Sequence, residues 1–163
     1  VKITADRLRR LLSYDPASGL FTRLEACPGH AAGSPVGTVA DRGYRVIKID
    51  GKSYKAHRLA WLHVTGRWPA QHVDHVNGDT SDNRWVNLRE ATRSQNLANS
   101  RRYKNSTSAF KGVAWHKASR RWSASIQVHG RRCHLGLFDT AHEAHARYVE
   151  AARRLFGEFA RAA

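Results

Sequence analysis

Four side chains between residues 74 and 96 have types and spacings that could act on a phosphate ester: the adjacent pair Asp74 and His75, then Asn87 and Asn96. Phosphodiester hydrolysis needs a nucleophile made from water, charge stabilisation at the phosphoryl group and a protonated or metal-bound leaving oxygen. An imidazole titrating near ~6.5 can take the proton from water, and one such step is typically worth ~10²–10⁴-fold. His75 is therefore the candidate base. A magnesium ion takes hard oxygen ligands and keeps positions open for water and substrate. Asp74 offers a carboxylate oxygen for it, and Asn96 an amide oxygen. Asn87 serves differently, since its amide can tie the two ends of the long polar loop together and hold His75 in place.

The same acidic stretch, "DHVNGDTSDNRW", raises a calcium loop as a rival reading. An EF-hand needs Gly at its sixth position and Glu at its twelfth. Counting from Asp74, Gly78 is fifth and Trp85 is twelfth, so that reading fails, and Asp79 and Asp82 are turn residues.

The elements that must position these groups follow from local pattern. "HVDHV" reads as a short strand, "NGDTSDNRWVN" as loop and "LREA" as a second strand. "TRSQNLANS" opens with Thr92 and has Gln95 three residues on, a capping box that puts Asn96 in the first turns of a helix. Neighbours on a regular strand face opposite ways, so Asp74 and His75 can serve one site only if the strand twists or ends there. Upstream, "TADRLRRLLSYD" reads as a short helix capped by Thr4, with Leu8, Leu11 and Leu12 on its apolar stripe. "DPASG" at 15–19 is a turn before the strand "LFTRL", residues 25–35 are loop, "YRVIKID-GKSYKAH" is a hairpin turning at Asp50-Gly51, and "HRLAWLHVTG" is a helix stopped by Gly66.

The strings "HRLAW", "VDHVNGD", "DNRWVNLREAT" and "SQN" together resemble the HNH endonuclease family, in its phage and intron-encoded homing branch. The resemblance spans residues 57–99, and "YDPASGLF" and "GYRVIKIDGKSYKAHRLAW" are similar to the region preceding the motif in phage members. It implies a ββα-metal site with His75 as general base, His75, Asn87 and Asn96 at the signature positions, and Asp74 and Asn96 holding one divalent ion, magnesium with manganese able to substitute. The third signature position is Asn96 rather than His. His57, Arg58 and Arg93 are candidates for phosphate contact.

Residues 100–108 are polar and basic and read as a linker. Beyond them "KGVAWHK", "WSASIQVH" and "RRCHLGLF" read as three strands, and "DTAHEAHARYVEAARRLFG" as a helix with a second capping box at Thr140 and Glu143 and a stop at Gly157. Its apolar stripe is Ala144, Tyr148, Ala152 and Leu155. In the middle strand Ala124, Ile126 and Val128 share one face and Ser123, Ser125, Gln127 and His129 the other. The strings "FKGVAWHK", "RRWSASI" and "LGLFDTAHEA" resemble the AP-two/ethylene-response-factor DNA-binding domain. That implies a sheet laid in the major groove, with the reading positions at Ala114, His116, Ser125, Gln127, Arg132 and His134. Lys111, Lys117, Arg120, Arg121 and Arg131 are expected to meet phosphates, which fix position without reading sequence. Trp115 and Trp122 are expected to pack.

Composition agrees with a polyanionic partner. The 163 residues carry 28 Lys and Arg against 13 Asp and Glu, a formal net of +15, and neutralising phosphates releases counterions. No stretch approaches the ~18–20 apolar residues of a membrane span, and "VKITADRLRR" lacks the apolar middle of a secretory signal. Cys27 and Cys133 form no C-x-x-C pair and are expected as free buried thiols. The expectation is an α+β protein in four parts: residues 1–56 leading into the nuclease, the HNH core at 57–99, the linker at 100–108 and the three-stranded sheet on one helix at 109–163. It is expected to be a metal-dependent DNA endonuclease acting on double-stranded DNA, with no membrane and no obligate protein partner, in the cytoplasm of a bacterial or phage-infected cell. The runner-up is a DNA-binding protein whose nuclease core has decayed.

Overall fold

The computed structural model describes residues 2–40, 43–101 and 108–161. The chain is mixed α+β and divides into two compact units, residues 1–90 and 91–163. The linker expected at 100–108 falls largely on residues 102–107, which lie outside the described residues.

In the first unit, α1 (Ala5–Leu11) is capped by the Thr4 side chain, which accepts from Arg7 N. The helix is shorter than its leucine stripe suggests. Leu12–Asp15 forms strand β1, because Leu12 and Tyr14 are buried at alternating positions, a period of two that a helix cannot satisfy. β1 pairs antiparallel with β2 (Leu20–Arg23) across the "DPASG" turn. A second sheet holds β3 (Thr38–Val39), β4 (Arg45–Ile49) and β5 (Lys52–Lys55) in that order, with Asp50 and Gly51 both at positive φ in the β4–β5 turn. α2 (Ala56–Thr65) follows directly and ends on Gly66 in the left-handed conformation. Leu8, Phe21, Leu59 and Leu62 are at most 1% exposed and form the centre of this unit's core, joined by Ile47, Trp61, Val73 and Leu88. Then come β6 (His72–His75) and β7 (Leu88–Ala91), paired in a two-stranded sheet.

In the second unit α3 (Arg93–Asn99) carries the capping box between Thr92 and Gln95. β8 (Val113–His116), β9 (Arg121–Val128) and β10 (Arg131–Phe138) form an antiparallel sheet with β9 in the middle. α4 (Ala141–Phe156), capped by Thr140 and Glu143, lies against one face. Val113, Ala124 and Ala144 make one packed cluster, and Ile126, Tyr148, Ala151 and Ala152 another. Leu155, expected on the apolar stripe, is 44% exposed; Ala151 and Phe156 occupy the packed side instead. Trp122 packs as expected, whereas Trp115 is 42% exposed. Both cysteines are free, but both are exposed, against the expectation of burial: Cys27 sits in a tight turn and Cys133 on the edge strand β10.

Within this unit polar attachments from Lys111, His129 and Arg161 hold α3. Lys111 Nζ donates to the Leu97, Ala98 and Ser100 carbonyls, covering the acceptors a helix C-terminus leaves unpaired. His129 N donates to Ser94 Oγ at 2.9 Å, and Arg161 N to the Ala98 carbonyl at 3.3 Å. Replacing Lys111 by Met keeps the side chain's length and removes its donors. We expect Lys111→Met to speed hydrogen exchange of the α3 amides at least ~10-fold while β9 amides change little, a loss of about 1.5–3 kcal/mol in local stability.

Candidate active site

β6 ends at His75. The next residues turn away, with Gly78 N donating to the His75 carbonyl at 2.8 Å and Val76 N to the Asn87 carbonyl at 2.9 Å. Asp74 and His75, at the end of the strand, are each only 4% exposed. The polar loop between them and β7 is internally bonded at almost every turn residue. Asn77 Oδ1 accepts from Asp79 N, Asp79 Oδ1 from Ser81 N, and Asp82 takes both Asn77 Nδ2 and the Arg84 guanidinium. The Arg84 bonds hold the Asp82 carboxyl down at about 2, so it stays charged.

Asn87 closes this loop. Its Oδ1 accepts from Asn77 N at 2.9 Å and its Nδ2 donates to the Asp82 carbonyl at 2.7 Å, so one buried amide spans both ends. His75 Nε2 lies 3.1 Å from Asn83 Oδ1. Burial holds the His75 imidazole below its usual pKa, opposed by the Asn83 bond and by the charges of Asp74, Asp79 and Asp82. It is therefore neutral, with a lone pair on one ring nitrogen, at physiological pH.

His57, at the start of α2, meets His75 edge-on with ring centroids 4.9 Å apart, and Tyr44 lies 5.3 Å from His57 and 6.1 Å from His75. Lys55 Nζ sits 4.1 Å above the Tyr44 ring. Burial, then the neighbouring charges of His75, Lys55 and Arg58, push His57 down to about 3. Arg58 donates to the Gln71 carbonyl at 3.0 Å and lies over the Trp68 ring, a structural engagement.

Asp74 Oδ2 accepts from Arg89 Nε at 3.0 Å, a largely buried ion pair that no local pattern in the sequence signals. Among the described residues, no three His, Cys, Asp or Glu side chains gather as a ready-made metal cluster. A carboxylate and an amide oxygen are nonetheless the hard oxygen donors that a magnesium-type ion takes. Asn96 is half-buried on α3, in the second unit, and Arg93 is exposed at the start of that helix.

On the sheet of the second unit, the register places Ala114 beside Ser123, His116 beside Arg121, Arg132 beside Gln127 and His134 beside Ser125. Residues directly opposite across antiparallel strands share a face, so these positions lie together on the face away from α4. His116, Lys117, Arg120, Arg121, Gln127, Arg131, Arg132 and His134 are exposed and Ser125 is half-buried. Two of the basic candidates are engaged within the protein: Arg121 Nε donates to Asp139 Oδ1 at 2.9 Å, and Lys111 has the carbonyl partners described above.

Residues 54–98 match the model of the HNH endonuclease family. The chain is also similar to Protein 3.8 of Escherichia phage T7, with 29% identity over 68% of this chain and 91% of that protein. Among solved structures it resembles one described as "DNA binding and cleavage by the HNH homing endonuclease I-HmuI", with 24% identity and a TM-score of 0.43. That likeness covers 55% of this chain, which spans about half the length of the solved one. No helix among the described residues is long and apolar enough to cross a membrane.

Tyr44, Asn83 and Arg89 are the neighbours of the site that sequence reasoning missed. Asn83 stands inside the "DNRWVNL" string, but nothing in local spacing signals that its amide turns inward.

The buried His57 has a consequence for stability. Its folded pKa of about 3 lies below the usual 6.5, so the unfolded chain binds a proton first as the pH falls. Stability is complete above ~6.5 and declines by up to about 1.4 kcal/mol per pH unit below it. Urea unfolding between pH 7 and pH 5 should show this decline, and His57→Gln should flatten it.

Proposed function

We propose that the protein is a metal-dependent DNA endonuclease in which His75 is the general base, Asp74 is a ligand of the divalent ion, and Asn87 keeps the loop closed behind His75. The observation that carries this reading is the buried, neutral His75, fixed at the end of β6 next to a buried carboxylate, within a segment that matches the HNH endonuclease family. The ion, magnesium or manganese, would supply charge stabilisation at the phosphoryl group and leaving oxygen. His75 takes a proton from the attacking water at its unprotonated ring nitrogen. The other ring nitrogen stays bonded to Asn83, so the imidazole does not rotate as it gains charge. His57 stays neutral and packs against the His75 ring, shielding one edge from solvent without adding a positive charge.

Double-stranded DNA is the proposed substrate. The chain's net charge of +15 and the basic, exposed sheet face both support it. Arg132, Gln127, His134, Ser125 and His116 are proposed to face base edges, and Lys117, Arg120 and Arg131 phosphates, in the manner the AP-two-like resemblance implies. We take residues 109–163 as the reading module and 57–99 as the nuclease core. Arg93 is proposed to reach a phosphate.

The Arg89–Asp74 ion pair favours the second reading, a DNA-binding protein whose metal site is closed by a guanidinium. Supercoiled plasmid separates the two. Nicking that requires magnesium and stops with chelator supports the enzyme; binding with no cleavage in magnesium or manganese supports the second reading. His75→Ala is expected to lose at least ~100-fold in cleavage rate while keeping its affinity for DNA. Lys117→Ala, Arg120→Ala and Arg131→Ala combined should lower the slope of log affinity against log salt by about 2–3, measured by fluorescence anisotropy.

A further inference from the structure

Asn83 is 2% exposed, one of the most completely buried side chains in the first unit, yet it is an amide. Its orientation is set from three sides. Its Nδ2 donates to the Ser81 carbonyl at 3.2 Å, which turns Oδ1 toward His75 Nε2. Its own carbonyl accepts from the buried Tyr14 hydroxyl at 2.7 Å. Burial, then the charges of Asp15 and Asp82, raises the Tyr14 pKa, so the hydroxyl remains a donor.

Behind Asn83 stands the "DPASG" turn. Asp15 builds it, accepting from Ala17 N at 3.0 Å and Ser18 N at 3.2 Å, with Gly19 N closing onto the Asp15 carbonyl at 2.8 Å. The Pro16 carbonyl accepts from Trp85 N at 2.9 Å. Gly19 has φ +74, and a Cβ there would lie 2.4 Å from Asn83 C and from Arg84 N. The turn thus lies backbone against backbone on residues 83–85, at a separation only glycine permits.

We propose that Asn83 is a positioning residue for His75, and that the turn at residues 15–19 is the template that holds Asn83 in place. The proposal rests on the reading of His75 as general base. Asn83 Oδ1 can only accept, so Nε2 carries the ring proton and Nδ1 carries the lone pair. When water gives its proton to Nδ1, the hydroxide oxygen bonds to phosphorus as the ester P–O bond to the leaving sugar oxygen breaks and that oxygen takes a proton from solvent, and the Nε2–H stays bonded to Asn83 Oδ1 throughout. The bond therefore selects the tautomer and holds the ring plane, while the chemistry takes place on the opposite nitrogen.

The test uses the full chain. Ring ¹⁵N shifts of His75 report the tautomer without DNA or metal, and single-turnover nicking of plasmid in magnesium reports the rate. The wild type should show the Nε2–H form. Asn83→Ala should give a mixture of tautomers and a rate at least ~10-fold lower, with DNA affinity unchanged. Asn83→Asp, which keeps an acceptor oxygen, should restore the Nε2–H form. Gly19→Ala should shift the tautomer in the same direction as Asn83→Ala although it touches no substrate. An unchanged tautomer and rate in Asn83→Ala overturns the proposal. If Asn83→Ala does not fold, the wild-type ring decides: an Nδ1–H form overturns it, and an Nε2–H form shared with Asn83→Asp supports it. A wild type that never nicks DNA removes the nuclease reading, and the ring shifts still decide whether Asn83 sets the His75 tautomer.

Discussion

One side-chain amide closes the loop on which the site depends. Asn87 joins Asn77 N to the Asp82 carbonyl and thereby fixes both ends of a run that has no apolar residues to bury. A polar loop of this length would ordinarily be mobile, because its ordering entropy is not offset by burial. Here the Asp and Asn side chains between 77 and 84 bond back onto the loop's own backbone. His75 meets this loop through Asn83 Oδ1, 3.1 Å from its Nε2.

The N-terminal hairpin has a place in this arrangement. Without it, Asn83–Trp85 would lack the Pro16 carbonyl and the Tyr14 hydroxyl that fix its backbone. The apolar core of the first unit, centred on Leu8, Phe21, Leu59 and Leu62, carries the hairpin and α2 together. Packing in that core, hairpin position, loop backbone, Asn83 and His75 form one continuous physical chain. The second unit has a comparable logic on a smaller scale: α3, with Asn96 on it, is pinned to its own sheet and C-terminal turn through Lys111, Ser94 and Arg161.

Much of this was legible in the residues. Both capping boxes, the Asp50-Gly51 turn, the Gly66 stop and the strands flanking the loop follow from short-range chemistry, and the structure has them where the spacing puts them. The alternation in β9 correctly separated the α4 face from the open face. Local pattern failed where tertiary contacts decide. Leu12 continues a helical stripe, but burial of Tyr14 makes β1 of it. Burial could not be inferred for the cysteines, since an edge strand and a turn leave them exposed. Asn83, Tyr44 and Arg89 meet Asp74, His75 and His57 through the fold, and no period or motif links an amide eight residues downstream to the ring it holds.

The most direct measurement compares loop closure and chemistry in the same variant. In Asn87→Ala, amide exchange at Asn77 and Val76 and the plasmid nicking rate are followed together, with melting temperature as a check on folding. Exchange at both amides should accelerate and nicking should fall by at least ~100-fold in parallel. Faster exchange with an unchanged nicking rate would contradict this, because the closed loop would then be irrelevant to the work of His75.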